Sequence, residues 1–128
     1  MPEYGAGSQE ALDFHLMVYH LATQIPYGRV TNYGHLAYLA GKPENSRQVG
    51  YALKHLPTRP ELRYSSQSVP WWRVIGGSGY ISTVEKRQHQ LERLRQEIPV
   101  TDKGGVDMAT YGWFPEIEDL NTDVEYPQ

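Results

Sequence analysis

The sequence predicts a mostly α-helical domain: a helix-turn-helix completed by a short β-hairpin. Three observations carry that reading. Two short segments with apolar residues at helical spacing, Tyr33/Leu36/Ala37/Ala40 and Val49/Ala52/Leu53/Leu56, are separated only by "GKPEN". Residues at i, i+3, i+4 and i+7 share a helix face, so each segment can bury a stripe. "WRVI" and "YIS" flank "GGSG", the pattern of two short strands around a glycine turn. At 128 residues the chain supports one core without staples.

Taken in order, residues 1–7 read as a flexible leader. A first helix is expected from Ser8, its N-cap, to about Thr23. Its stripe is Leu12, Leu16, Tyr19 and Thr23, widened by Phe14, Val18 and Leu21. "IPYG" makes a turn, with Pro26 fixing φ and Gly28 relaxing the chain. A second helix starts after Thr31 as cap and ends at Gly41. The third runs from about Ser46 to Leu56, where Pro57 stops it. Residues 57–69 form a Pro/Ser-rich loop, and the hairpin follows. A last helix from about Val84 to Glu97 turns Leu91, Leu94 and Ile98 inward and Lys86, Arg87, Arg93 and Arg95 outward. "YGWFP" docks on the body, which sets the domain at 8–114 and leaves 115–128 as a second flexible terminus.

Charge is unevenly spread. Residues 42–95 hold ten Lys/Arg against four acids, +6, and the remainder carries −9 of the net −3. From Gly104 onward there are six acids and no base. A basic middle beside an acidic tail suits local binding of a polyanion.

Several chemistries are excluded. With no cysteine there is no disulfide, thiolate nucleophile or Cys-based zinc site. The histidines at 15, 20, 35, 55 and 89 form no i, i+4 ligand pair, and no phosphate-binding loop or G-x-S-x-G is present. No cofactor is expected. No apolar run reaches the roughly 20 residues of a membrane helix. The chain is expected to be soluble and intracellular, in the nucleus of a eukaryote or the cytoplasm otherwise.

On the third helix Arg47, Gly50, Tyr51 and Lys54 point away from the apolar stripe. A helical glycine costs about 1 kcal/mol relative to alanine, so Gly50 on an exposed face suits close approach of another backbone. Trp71 and Trp72, adjacent in "VPWWRV", cannot share a face of a strand. One is expected to face a pocket and the other the core.

"IPYGRVTNYGHLA", "SRQVGYALKHL" and "VPWWRVIGGSGYIS", in that order, resemble the alkyltransferase-like proteins, cysteine-less relatives of the O6-alkylguanine-DNA alkyltransferases. The resemblance covers about residues 11–114, and "YGWFP" is similar to fungal members. It implies the winged-helix-like DNA-binding domain found at the C-terminus of the transferases, with Trp71 at the reactive-cysteine position. It further implies a monomeric, non-enzymatic sensor that binds duplex DNA through the minor groove. The sensor turns an O6-alkylguanine out of the stack and passes the site to nucleotide excision repair proteins.

Residue by residue, the resemblance makes Tyr33 the side chain that presses on the backbone at the lesion. Arg47 is the finger that fills the vacated space, and Gln48, Gly50, Tyr51 and Lys54 lie along the groove. The lesion pocket is expected from Tyr33, Leu53, Trp71, Val74 and Val84. Two departures stand out. Trp72 replaces the family's usual His and is expected to pack beneath the pocket floor. The loop after Ser82 is short, with Val84 where relatives place an arginine; Arg87 is the candidate substitute. Two other classes fit the same residues: a sequence-specific helix-turn-helix regulator, and a protein-partner module that has lost base flipping.

Overall fold

The computed structural model describes residues 8–124. Helix α1, Gln9–Ala22, is capped by Ser8, whose side chain accepts from the Ala11 N–H. Its expected stripe is buried apart from Thr23, which is the exposed C-cap. Helix α2, Tyr33–Leu39, packs against α3, Ser46–Lys54, to form the helix-turn-helix, and α1 lies across both. The Tyr19 hydroxyl donates to the Ala52 carbonyl at 2.8 Å, tying α1 to α3.

Two helix boundaries differ from expectation. The α2 cap is Asn32, whose Oδ1 accepts from the His35 N–H at 2.7 Å; Thr31 instead belongs to a strand and is fully buried. Helix α3 ends at Lys54, although Leu56 is still buried. The α2 terminus follows the glycine rule closely. Gly41 has φ 86°, its N–H reaches the Tyr38 carbonyl, and the Lys42 N–H reaches that of Ala37. That is a Schellman motif, and it makes the sharp exit toward α3.

The hairpin is not formed. Strand β1 is Thr31–Asn32 and β2 is Val74–Ile75, and they pair in parallel with Thr31 opposite Val74. The turn keeps one rung, Gly76 N–H to Tyr80 C=O. Tyr80 then bridges antiparallel to Gly105. The expectation failed because the partner of β2 lies far up the chain, where no local turn signal can announce it. On its other side β1 continues into a parallel bridge between Val30 and Gly112. There the Val30 N–H bonds the Tyr111 carbonyl and the Trp113 N–H bonds that of Val30.

Trp71–Arg73 forms a 3-10 turn rather than a strand. Successive side chains of such a turn lie about 120° apart, so the two tryptophans are not forced to opposite faces. Both are buried, at 7% and 9% exposure, with their rings edge-on 6.0 Å apart.

Helix α4, Arg87–Arg95, starts later than the expected Val84, and its N-cap Lys86 makes no side-chain capping bond. Leu91, Leu94 and Ile98 are buried as expected. Gln90 is also buried, and its Nε2 donates to the Trp72 and Val74 carbonyls. A short helix α5, Met108–Tyr111, precedes the docked "YGWFP". Residues 115–124 run back along α1 and α2. Gln24 and Asn121 exchange hydrogen bonds there, and Tyr38 donates to Glu116. The leader 1–7 and residues 125–128 lie outside the described residues. Among the described residues no helix is long and apolar enough to cross a membrane.

Candidate nucleic-acid interface and base pocket

The exposed side of the helix-turn-helix is a groove built from small residues. One stretch of about 390 Å³ is lined by Asn32, Tyr33, Gly34, Arg47, Gly50 and Gly77. A second, of about 280 Å³, continues from Tyr33 and Gly50 to Lys54 and residues 82–85. A Cβ added at Gly50 would meet nothing within 4 Å. The glycine therefore relieves no clash inside this chain, and it keeps the helix face low where something else can come close.

Arg47 stands exposed in the first turn of α3, with no carboxylate partner among the described residues. Gln48 accepts from the Asn45 side chain at 3.0 Å. Tyr51 is 46% exposed and lies flat, stacked on His55 with ring centroids 4.1 Å apart. Lys54 is not free: its ammonium pairs with Glu85 at 3.0 Å.

Behind the groove is a small enclosed pocket of about 30 Å³. It is lined by Tyr33, Leu53 and Trp71 together with Gly50, Lys54, Thr83, Glu85 and Lys86. Three of the five expected pocket residues thus come together. Val74 does not join them; it lies in β2, fully buried by its strand pairing. Val84, at 86% exposure, stands on the rim of the outer groove. Arg87 is also elsewhere: its guanidinium donates to the Ile81 and Lys103 carbonyls, pinning two loops together. It cannot serve the pocket without releasing both.

Sequence reasoning missed the residues that close the pocket. Thr83, Glu85 and Lys86 all come from the segment before α4. The Thr83 hydroxyl sits 3.5 Å from that of Tyr33, and the Lys86 ammonium lies 5.4 Å above the Trp71 ring. Only the surplus of basic residues in this region hinted at Lys86. A volume near 30 Å³ holds about one water. The closing contacts are weak, since an exposed ion pair such as Lys54–Glu85 contributes about 0–1 kcal/mol.

A second missed feature supports Trp72. Glu97 accepts from Trp72 Nε1 at 2.8 Å, from the Gly28 N–H at 2.9 Å and from Arg73 through paired bonds of 2.9–3.1 Å. Arg73 also reaches the Ile25 carbonyl. Burial disfavours the Glu97 charge, but these donors outweigh it and hold the carboxyl below its ordinary pKa. Both Glu97 oxygens are engaged by these donors, and among the described residues no group of three or more metal-ligating side chains comes together.

Comparison with known proteins agrees with this geometry. Residues 13–98 match the family described as 6-O-methylguanine DNA methyltransferase, DNA binding domain. The chain is 42% identical to alkyltransferase-like protein 1 of Schizosaccharomyces pombe, over 80% of this chain and 96% of that one. It is 39% identical to the DNA base-flipping protein of Escherichia coli, over 75% and 70% respectively. Among solved structures it is similar to S. pombe Atl1 in complex with damaged DNA containing O6-carboxymethylguanine. That match has TM-score 0.66 and 39% identity and covers 80% and 96% of the two chains. A Mycobacterium tuberculosis OGT structure matches with TM-score 0.56 and 29% identity, over 77% of this chain and 55% of that one. By matched length, motif order and fold, and with no cysteine in its sequence, the chain belongs to the alkyltransferase-like proteins, relatives of the O6-alkylguanine-DNA alkyltransferases.

Proposed function

We propose that this protein is a non-enzymatic sensor of O6-alkylguanine in duplex DNA, which it engages through the minor groove. The observation that carries the reading is the small pocket lined by Tyr33, Leu53 and Trp71, which shares Tyr33 and Gly50 with the groove along α3. A minor groove about 6 Å wide favours a helix face without bulk, which Gly50 supplies. Unstacking a base costs a few kcal/mol, least at a damaged pair. Stacking on an aromatic wall returns about 1–3 kcal/mol per base. Entry of a base requires residues 82–86 to swing out, and the weak contacts there permit it. In this reading Arg47 enters the vacated stack and Tyr33 presses on the backbone. Nucleotide excision repair proteins are the proposed receivers of the marked site.

The direct test is binding to matched duplexes holding guanine, O6-methylguanine or a bulkier O6-alkylguanine at one position. Tighter binding to both lesions, independent of flanking sequence, is expected. Preference for a base sequence instead would make the protein a regulator; no DNA affinity would leave a partner module.

Incubation with O6-methylguanine DNA is expected to leave protein and DNA masses unchanged, because no thiol is present to accept the methyl group. A protein heavier by one methyl would overturn the non-enzymatic assignment.

Arg47→Ala is expected to weaken lesion binding by about 1–3 kcal/mol, as loss of a buried charge-assisted contact does. Lys54→Ala is expected mainly to lower the salt slope by about one unit. The pairing of Lys54 with Glu85 makes that effect smaller where Glu85 stays in place. Equal effects of both variants, confined to the salt slope, would remove the finger role from Arg47.

A further inference from the structure

Trp71 is shared by two cavities. Besides the small pocket it lines a larger cleft of about 690 Å³, and Lys86 lines both. We infer that this cleft receives the O6 substituent of the turned-out guanine and favours substituents carrying a carboxylate over neutral ones of the same size. The inference rests on the base-flipping reading above and names the lesion class within it.

The route follows from the shared residues. Trp71 and Lys86 line pocket and cleft alike, so a substituent on a base resting on Trp71 that extends toward the Lys86 ammonium reaches the cleft. The cleft is basic and uncompensated. Its charged side chains are Lys86 and Arg93, with His89 edge-on to Trp71 at 5.5 Å, and no carboxylate is among its lining residues. Thr58, Ser66 and Gln67 supply neutral hydrogen-bonding groups. Cations nearby are paired: Lys54 with Glu85, Arg59 with Glu61, Arg73 with Glu97, Arg95 with Asp102. Lys86 and Arg93 have no such partner among the described residues. Instead each lies over an indole, Lys86 over Trp71 at 5.4 Å and Arg93 over Trp72 at 4.3 Å. Resting on a ring keeps each cation in place; Lys86 also donates to the Lys54 carbonyl at 3.4 Å, which leaves its other ammonium N–H groups and those of Arg93 to meet an incoming acceptor. A carboxylate accepts from both cations; an amide of the same shape brings no charge.

The same cations could instead meet a backbone phosphate, and the experiment separates the two. The full-length protein is titrated with four duplexes identical except at one guanine: unmodified, O6-methyl, O6-carboxymethyl and O6-carbamoylmethyl. The carboxymethyl duplex is expected to bind roughly 3–10-fold tighter than the carbamoylmethyl one, a ratio that shrinks as salt rises. Arg93→Gln is expected to bring that ratio close to one and leave O6-methylguanine affinity unchanged. Gln67→Glu, an exposed change that adds a carboxylate to the cleft, is expected to lower the ratio with native stability. Denaturant midpoints of both variants confirm folding. Equal affinity of the wild type for the two carbon-matched adducts overturns the inference. So does an equal loss on all four duplexes for Arg93→Gln, which makes Arg93 a phosphate contact. Failure to prefer O6-methylguanine over guanine sinks the underlying sensor reading, and that outcome is read separately.

Discussion

Glu97→Ala is expected to cost about 3–5 kcal/mol of folding stability, the range for removing one partner of a buried ion pair. The Glu97 and Arg73 side chains are only 4% and 14% exposed, so water cannot replace what is lost. The deletion leaves Arg73 charged and half-satisfied, with only the Ile25 carbonyl still accepting from it. It also strips the acceptor from Trp72 Nε1 and from the Gly28 N–H. Three elements loosen together: the turn after α1, the 3-10 turn and the end of α4. Because the folded pKa of Glu97 is lowered, its contribution is fully present above the ordinary carboxyl pKa. It is lost as pH falls through the depressed folded value. The wild type should therefore lose stability on acidification through the carboxylate range, and Glu97→Gln should flatten that limb of the profile. Urea melts at neutral pH and along an acid series measure both. A Glu97→Ala loss within about 1 kcal/mol would show an ordinary surface pair.

The tryptophans give the second large effect. Both are buried, so Trp71→Ala and Trp72→Ala are each expected to cost about 3–5 kcal/mol, as emptying a large aromatic site does. Strand alternation puts only one of the two in the core, but the 3-10 turn buries both. Phenylalanine separates the roles better. Trp72→Phe keeps most of the packing but leaves a Glu97 lone pair without its donor, at about 1–3 kcal/mol. Its ratio of lesion to normal binding should not change. Trp71 donates no side-chain hydrogen bond among the described residues, so Trp71→Phe should fold well while its smaller face weakens lesion preference. Melts and paired titrations on both variants decide. If Trp72→Phe is the one that loses lesion preference, the pocket wall has been assigned to the wrong ring.

The helical part of the fold was legible because its information is local. The Ser8 cap, the α1 stripe, the Gly41 exit and the inward leucines of α4 each depend on residues within a turn or two. The strand pairing was not, since Val74 finds Thr31 rather than the residues beyond its own glycine turn. The tryptophan pair shows the same limit differently. Alternation applies only to an extended chain, and Pro70 leads into a 3-10 turn instead. At the candidate site, Tyr33, Leu53 and Trp71 were reachable through motif resemblance. Glu85 and Lys86 were not, because their part in the pocket depends on how the segment before α4 lies against Tyr33 and Trp71 rather than on any local pattern. Nor was Glu97, which on sequence is one more acid near a helix end.

The parallel pairing of β1 also sets an order of assembly. Val30–Asn32 finds one neighbour at Val74–Ile75 and the other at Tyr111–Trp113, both far down the chain. Closing long loops is slow compared with winding helices, since the entropy is lost before the contacts form. On a growing polypeptide α1, α2 and α3 can dock early, whereas β1 stays unpaired until later sequence emerges. The ring of Trp71 is delivered by the same segment that carries β2. The helical side of the groove and the Tyr33 and Leu53 wall of the pocket are thus early-folding, whereas Gly77, residues 82–85 and the Trp71 wall come late, so a chain arrested between the two stages holds a helix-turn-helix with its groove and pocket half built.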